Sequence, residues 1–178
     1  MLRMFAVPFL VIEILDAHWV FAFVLLWLAG LSDGMDGLLA RVLKQRTTLG
    51  QYLDPIADKA LLSTLFLVLT HVGVIPRYVT VLVFSRDLGI LLISTLLYVT
   101  NILRDFRPTW LGKVNTCLQI LTVLLVMTAQ VAPHMRLDGL LIVLLKTVAV
   151  LAPLSAAQYA WITLRKVQTQ SETAELES

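Results

Sequence analysis

Residues 32–60 read SDGMDGLLARVLKQRTTLGQYLDPIADKA and place Asp33, Asp36, Asp54 and Asp58 between long apolar flanks. Asp33 and Asp36 are three residues apart and share a face if this stretch is helical. Gly37 follows Asp33 by four and Ala40 follows Asp36 by four. That face therefore carries two carboxylates and then almost no side chain, which lets a ligand press against backbone. Arg41 adds a permanent cation able to fork onto phosphate oxygens. Asp54 and Asp58 are one helical turn apart, with Gly50 one turn earlier. Two helices can thus bring four carboxylates together.

Like charges held close in a medium of low dielectric repel one another, and a divalent cation relieves them. An all-oxygen donor set without Cys or His favours Mg²⁺ or Mn²⁺. A calcium loop of the EF-hand type does not fit, because Met35 and Gly37 fall on ligand positions and Lys44 replaces the closing Glu. Plainer readings exist for the parts. Asp-Gly pairs mark turns, and Asp54-Pro55 reads as a helix cap followed by proline at the first position. Neither accounts for four carboxylates, the spaced small residues and an Arg in one apolar chain.

Outward from this stretch, the chain of 178 residues is 58% hydrophobic and 15% charged, with mean hydropathy +0.85. Soluble domains average about a quarter charged, so an integral membrane protein of one domain is expected. The net charge of +2 says little about partners, and no nucleic-acid partner is expected. Cys117 is the sole cysteine, which excludes an intrachain disulfide and a thiolate metal site. No cleavable secretory signal or transit peptide is evident.

Six membrane segments are predicted: Met4–Leu15, Trp19 to about Leu43, a third from between Gly50 and Asp54 to Leu69, Tyr78–Ile102, Leu111–Val131 and Gly139–Leu164. Residues 1–166 form the membrane domain, and 167–178 are a polar tail expected to be disordered. Arg3, Arg41, Lys44, Arg46, Arg104, Arg107, Lys113, Arg165 and Lys166 fall on one side, against Arg77 and Arg136 on the other. The positive-inside rule then makes both termini and the aspartates cytoplasmic. Trp19, Tyr78, Trp110 and Trp161 fall near segment ends, where amphipathic rings prefer the interface. His18, His71 and His134 read as outer loop or interface residues, Glu13 and Asp16 as solvated, and Lys146 has no assigned role.

The stretch as a whole, D-x-x-D-G-x-x-A-R, eight residues, then G-x-x-x-D-x-x-x-D, resembles the signature of the CDP-alcohol phosphotransferase family at every defining position. The resemblance extends to most of the chain, since six helices with the motif across the second and third also match. It implies transfer of a phosphoalcohol group from a CDP-alcohol to a hydroxyl, with release of CMP. It further implies that Asp33, Asp36 and Asp54 hold Mg²⁺ or Mn²⁺, as two ions, on the CDP pyrophosphate, with Asp58 a metal ligand or the base. Gly37, Ala40 and Gly50 would leave room for the nucleotide, and Arg41 would touch its phosphates. A homodimer is implied as well.

The acceptor is sought in two other runs. Ser85-Arg86-Asp87 lies inside an apolar segment, where Arg86 either binds an acceptor phosphate or is neutralised by Asp87 to fix packing. Residues 107–119, RPTWLGKVNTCLQ, add Lys113 and Asn115, with Lys113 alternatively snorkelling to the interface. Together these runs resemble the branch of the family with glycerol-based acceptors, particularly eukaryotic-type cardiolipin synthases. Related phosphatidylglycerophosphate synthases tend to carry a Lys where this chain has Asn115. One cation fewer suits phosphatidylglycerol, a phosphodiester, better than the more highly charged glycerol 3-phosphate. The expected reaction is therefore CDP-diacylglycerol plus phosphatidylglycerol giving cardiolipin, with glycerol 3-phosphate as the alternative acceptor. The pattern departs from the family at its start: the amphipathic segment that precedes the first helix is expected to be missing, with Arg3 as its last trace. A bacterial inner membrane is favoured over a mitochondrial one. Two rival classes are a small cation transporter using the aspartates, which their clustering at one face opposes, and an inactive lipid-binding relative.

Overall fold

The computed structural model describes the backbone of residues 2–42, 48–99 and 110–176, and the side chains of 6–32, 59–93, 95–96 and 110–165. Among them the chain is all helical: α1 (Leu2–Leu15), α2 (Trp19–Val42), α3 (Thr48–His71), α4 (Arg77–Val99), α5 (Trp110–Val131), a 3₁₀ turn (Pro133–Met135) and α6 (Asp138–Leu176). The order and the limits of α1, α2, α4 and α5 follow the hydrophobic segments. Lys44, Arg46, Arg104 and Arg107 lie outside the described residues.

One expectation is corrected: α3 begins at Thr48, earlier than the expected start between Gly50 and Asp54, and passes through Asp54-Pro55, so Asp54 is no helix cap. The backbone of α6 is helical to Leu176, through the polar run that follows residue 166. The added turns, rich in Gln, Glu, Ala and Leu and without Gly or Pro, have adequate helix propensity.

The chain divides into two compact units. The first holds residues 1–76 and 122–141, the second 77–121 and 142–178. In the first, α1 packs on α2 and α3. Leu10 and Ile14 of α1, Ala22, Leu26 and Ala29 of α2, and Leu61, Leu65, Phe66 and Leu69 of α3 are buried. Each set recurs at three- and four-residue spacing, as a single packed helix face requires. The opposite face of α2 is equally apolar, with Val20, Val24, Trp27, Leu28 and Leu31 exposed. A helix in water would place polar residues there, whereas a helix in lipid has no reason to.

The second unit follows the same rule. Val79, Val83 and Arg86 of α4, and Val148, Ala152, Ser155 and Tyr159 of α6, are buried, while Leu88, Leu92, Leu96, Val150, Leu154 and Leu164 are exposed. Among the described residues, α5 and Asp138–Arg165 of α6 are long and apolar enough to cross a membrane, and Ala6–Leu15, Trp19–Ser32 and Lys59–His71 are shorter apolar helices. Hydroxyls within these helices bond to their own backbone: Thr128 Oγ1 donates to the Leu124 carbonyl at 2.7 Å and Thr147 Oγ1 to that of Val143 at 2.8 Å. Such bonds satisfy a polar group where no water is at hand.

Two helix ends in the first unit close in the same way. After α3, Gly73 takes φ +83°. Its N–H bonds the Thr70 carbonyl at 3.1 Å while that of Val74 bonds Leu69 at 2.9 Å. This paired closure is the Schellman motif. Ala17 (φ +58°) closes α1 with the same pair, Ala17 N–H to Ile14 at 3.1 Å and His18 N–H to Glu13 at 2.9 Å.

Candidate functional site

The four aspartates sit on helical backbone in one unit. Asp33 and Asp36, with Gly37, Ala40 and Arg41, fall on the C-terminal half of α2, and Gly50, Asp54 and Asp58 on the N-terminal half of α3. The two halves flank residues 43–47, which lie outside the described ones. Both spacings, three for the first pair and four for the second, lie on unbroken helix and keep each pair one turn apart. The side chains of these eight positions lie outside the described ones. As a donor set, four carboxylates on two helices consecutive in the chain suit a hard divalent cation.

The second unit contains a buried polar cluster centred on Arg86 of α4, which is 6% exposed. Its Nε donates to Ser155 Oγ of α6 at 3.0 Å. One Nη pairs with Asp87, and the other donates to the Gly112 carbonyl of α5 at 3.5 Å. One guanidinium thus ties α4 to α5 and α6. The Ser155 hydroxyl itself donates a hydrogen bond to the Ala152 carbonyl at 2.9 Å, so its oxygen is held as an acceptor for Arg86. The neutralising pair with Asp87 expected of a packing residue is therefore made. Three of the five N–H groups of a guanidinium are used by these contacts.

Asn115 and Gln119 continue the buried face of α5 that begins at Gly112, at three- and four-residue steps. Asn115 is 0% exposed and Gln119 2%. Among the described residues neither amide atom of Asn115 has a hydrogen-bond partner, nor does Gln119 Nε2. Lys113 is exposed and falls on a different side of α5, so the structure does not bring it to Arg86 and Asn115. Ser155 is not legible as a functional residue from sequence, and neither is Gln158, whose Oε1 is buried without a partner among the described residues. Their signal is a polar pair at three-residue spacing in an otherwise apolar part of α6.

Away from these clusters, His18, His71 and His134 are exposed in turns or at a helix end. His18 Nδ1 lies 3.1 Å from Glu13 Oε2, which fixes the turn between α1 and α2 rather than a metal. Lys146 is exposed on α6.

Comparison with known proteins bears on both clusters. The family described as CDP-alcohol phosphatidyltransferase matches residues 1–162. Cardiolipin synthase (CMP-forming) of Homo sapiens is 38% identical over 114 residues, covering 54% of this chain and 37% of that protein. The Rattus norvegicus protein of the same name is 35% identical over 141 residues, 69% of this chain and 46% of that one. A probable phosphatidylglycerophosphate synthase of Mycobacterium tuberculosis is 38% identical over 96 residues, 53% of this chain and 44% of that one. The chain spans less than half the length of each of these relatives.

Proposed function

The chain belongs to the CDP-alcohol phosphatidyltransferase family, and on that premise we propose that it transfers a phosphatidyl group from CDP-diacylglycerol to a glycerol-based acceptor and releases CMP. The observation that carries the reading is the complete aspartate pattern on α2 and α3 within a match covering residues 1–162.

Asp33, Asp36, Asp54 and Asp58 would hold Mg²⁺ or Mn²⁺, as two ions, which would supply charge neutralisation at the pyrophosphate and the departing CMP. Arg41 adds a fixed cation at the nucleotide phosphates. Gly37, Ala40 and Gly50 keep the helix faces low enough for the nucleotide to lie against backbone. Asp58, last in the motif, takes the proton of the acceptor hydroxyl. The hydroxyl oxygen forms a bond to the lipid-bearing phosphorus as the bond to the CMP oxygen breaks.

Arg86, with Asn115, receives the acceptor, and Lys113 supplies charge at the interface. Asn115 in place of a cation favours phosphatidylglycerol, whose product is cardiolipin. The alternative acceptor, glycerol 3-phosphate, is favoured by the charge of Arg86 and by the relative named as a phosphatidylglycerophosphate synthase. Residues 1–166 act as one membrane domain of six spans, with both termini and the aspartates at the cytoplasmic face of a bacterial inner membrane, in a homodimer. The two candidate spans and the apolar outer faces of α2, α4 and α6 support placement in lipid.

The test is product identification by mass spectrometry. Purified protein receives CDP-diacylglycerol and Mn²⁺ with phosphatidylglycerol or glycerol 3-phosphate in separate reactions. Cardiolipin alone supports the first acceptor, phosphatidylglycerophosphate alone the second. Metal flux into liposomes without either product would assign the aspartates to transport instead.

A further inference from the structure

Lys146 is a charged side chain on a face of α6 that is otherwise apolar. It is exposed, and Ile142, Val143, Val150 and Leu154, within one or two turns on the same side, are exposed with it. Among the described residues Lys146 makes no ion pair or hydrogen bond. Arg86 of α4, by contrast, is buried and finds its partners inside the second unit. Lys146 has to find its partner outside.

The stretch Asp138–Arg165 is long and apolar enough to cross a membrane. A cation facing hydrocarbon is costly, and an anion within reach of its flexible stem relieves it. Its level on the helix decides which anion that is. Near the other end of the stretch the Arg165 guanidinium lies 5.1 Å from the centre of the exposed Trp161 ring. An aromatic ring with a cation over it suits a membrane–water interface. Lys146 precedes Arg165 by 19 residues, about 28 Å of helix. The hydrocarbon layer is about 30 Å thick. With Arg165 at one interface, the Lys146 ammonium reaches the phosphates of the opposite leaflet.

Two occupants fit an apolar face. A second copy of the chain, related by a twofold axis, would bring one Lys146 towards the other, and the exposed neighbours carry no acid to offset the repulsion. A phospholipid instead supplies a phosphate and acyl chains, which match a cation followed by an apolar stripe. A zwitterionic lipid offsets its own phosphate, so net negative charge is favoured. We propose that Lys146 anchors an anionic phospholipid on α6, its ammonium paired with the phosphate and an acyl chain lying along Val150 and Leu154. The inference rests on the placement of α6 in lipid and is independent of which acceptor is used.

The experiment measures lipid binding to the purified, delipidated chain in detergent by native mass spectrometry. Phosphatidylmethanol, anionic and without an acceptor hydroxyl, is set against phosphatidylcholine with the same acyl chains. The unmodified protein should bind the anionic lipid about fivefold more tightly. Lys146→Leu and Lys146→Gln should bring the ratio towards one, while Lys146→Arg should keep it. Leu and Gln are good helix formers, so the Tm without added lipid should change little. The proposal is overturned by a ratio near one in the unmodified protein, or by a ratio that survives both the Leu and the Gln substitution. Displacement of phosphatidylmethanol by inorganic phosphate would overturn it in favour of a free-anion site, and a dimer lost only in the Lys146 variants would give the face to a second copy. A chain that stays monodisperse without detergent would remove the placement in lipid and the anchor together, whereas a failed ratio in a chain that needs detergent removes the anchor alone.

Discussion

At the scale of single residues, Gly73 and Ala17 occupy the same position of the same helix-ending motif with different side chains. A left-handed φ costs a non-glycine residue roughly 1–2 kcal/mol. A methyl group placed on Gly73 would meet no atom within 4 Å, so that cost would be conformational alone. Gly73→Ala should therefore lower stability by about 1 kcal/mol, and Ala17→Gly should raise it by up to about 1 kcal/mol. Thermal unfolding in detergent reads both; shifts of equal sign would contradict the shared motif. Chemistry at this scale rests on Asp58 and Arg86. Asp58→Asn keeps the shape but cannot take a proton, and turnover should fall by about 10²–10⁴-fold with the fold intact. Near-normal activity would remove it as base. Arg86→Ala should raise the acceptor KM by roughly 10-fold or more, and that of CDP-diacylglycerol much less. The reverse pattern would assign Arg86 to the nucleotide.

At the scale of elements, α4, α5 and α6 meet through one guanidinium. Ser155→Ala deletes the oxygen that Arg86 Nε uses, and the N–H left behind is buried. Stability should fall by about 1–3 kcal/mol, read as a lower Tm in detergent. An unchanged Tm would show that α6 does not hold the guanidinium. The elements also show what sequence can and cannot reveal. Apolar runs closed by Ala17-His18, Gly73 and Pro133 delimit helices plainly, because lipid-facing helices are apolar on every side and only their ends change composition. The third helix is harder to read. Asp54-Pro55 imitates a helix start, yet the helix begins six residues earlier, at Thr48. The end of α6 is hidden for the opposite reason: polar helix formers lack both the apolar stripe and the breakers that mark a boundary. The aspartate pattern is legible because its spacing is local. The Arg86 cluster is legible only in part, since Ser155 lies 69 residues away along the chain.

For the whole molecule, the fold gives two surroundings to two kinds of polar group. The aspartates lie on α2 and α3 in the first unit, while Arg86, Asn115 and Gln119 are buried in the second. The proposed division assigns the nucleotide and metal to the first set and the acceptor to the second. The measurement that tests this most directly is CMP release by the purified protein with CDP-diacylglycerol and phosphatidylglycerol or glycerol 3-phosphate. It is run with Mn²⁺, with EDTA, and with Mn²⁺ restored. The account predicts release that requires an acceptor, stops with EDTA and returns with the metal. CDP-diacylglycerol binding without CMP release from either acceptor, with metal present, would contradict it.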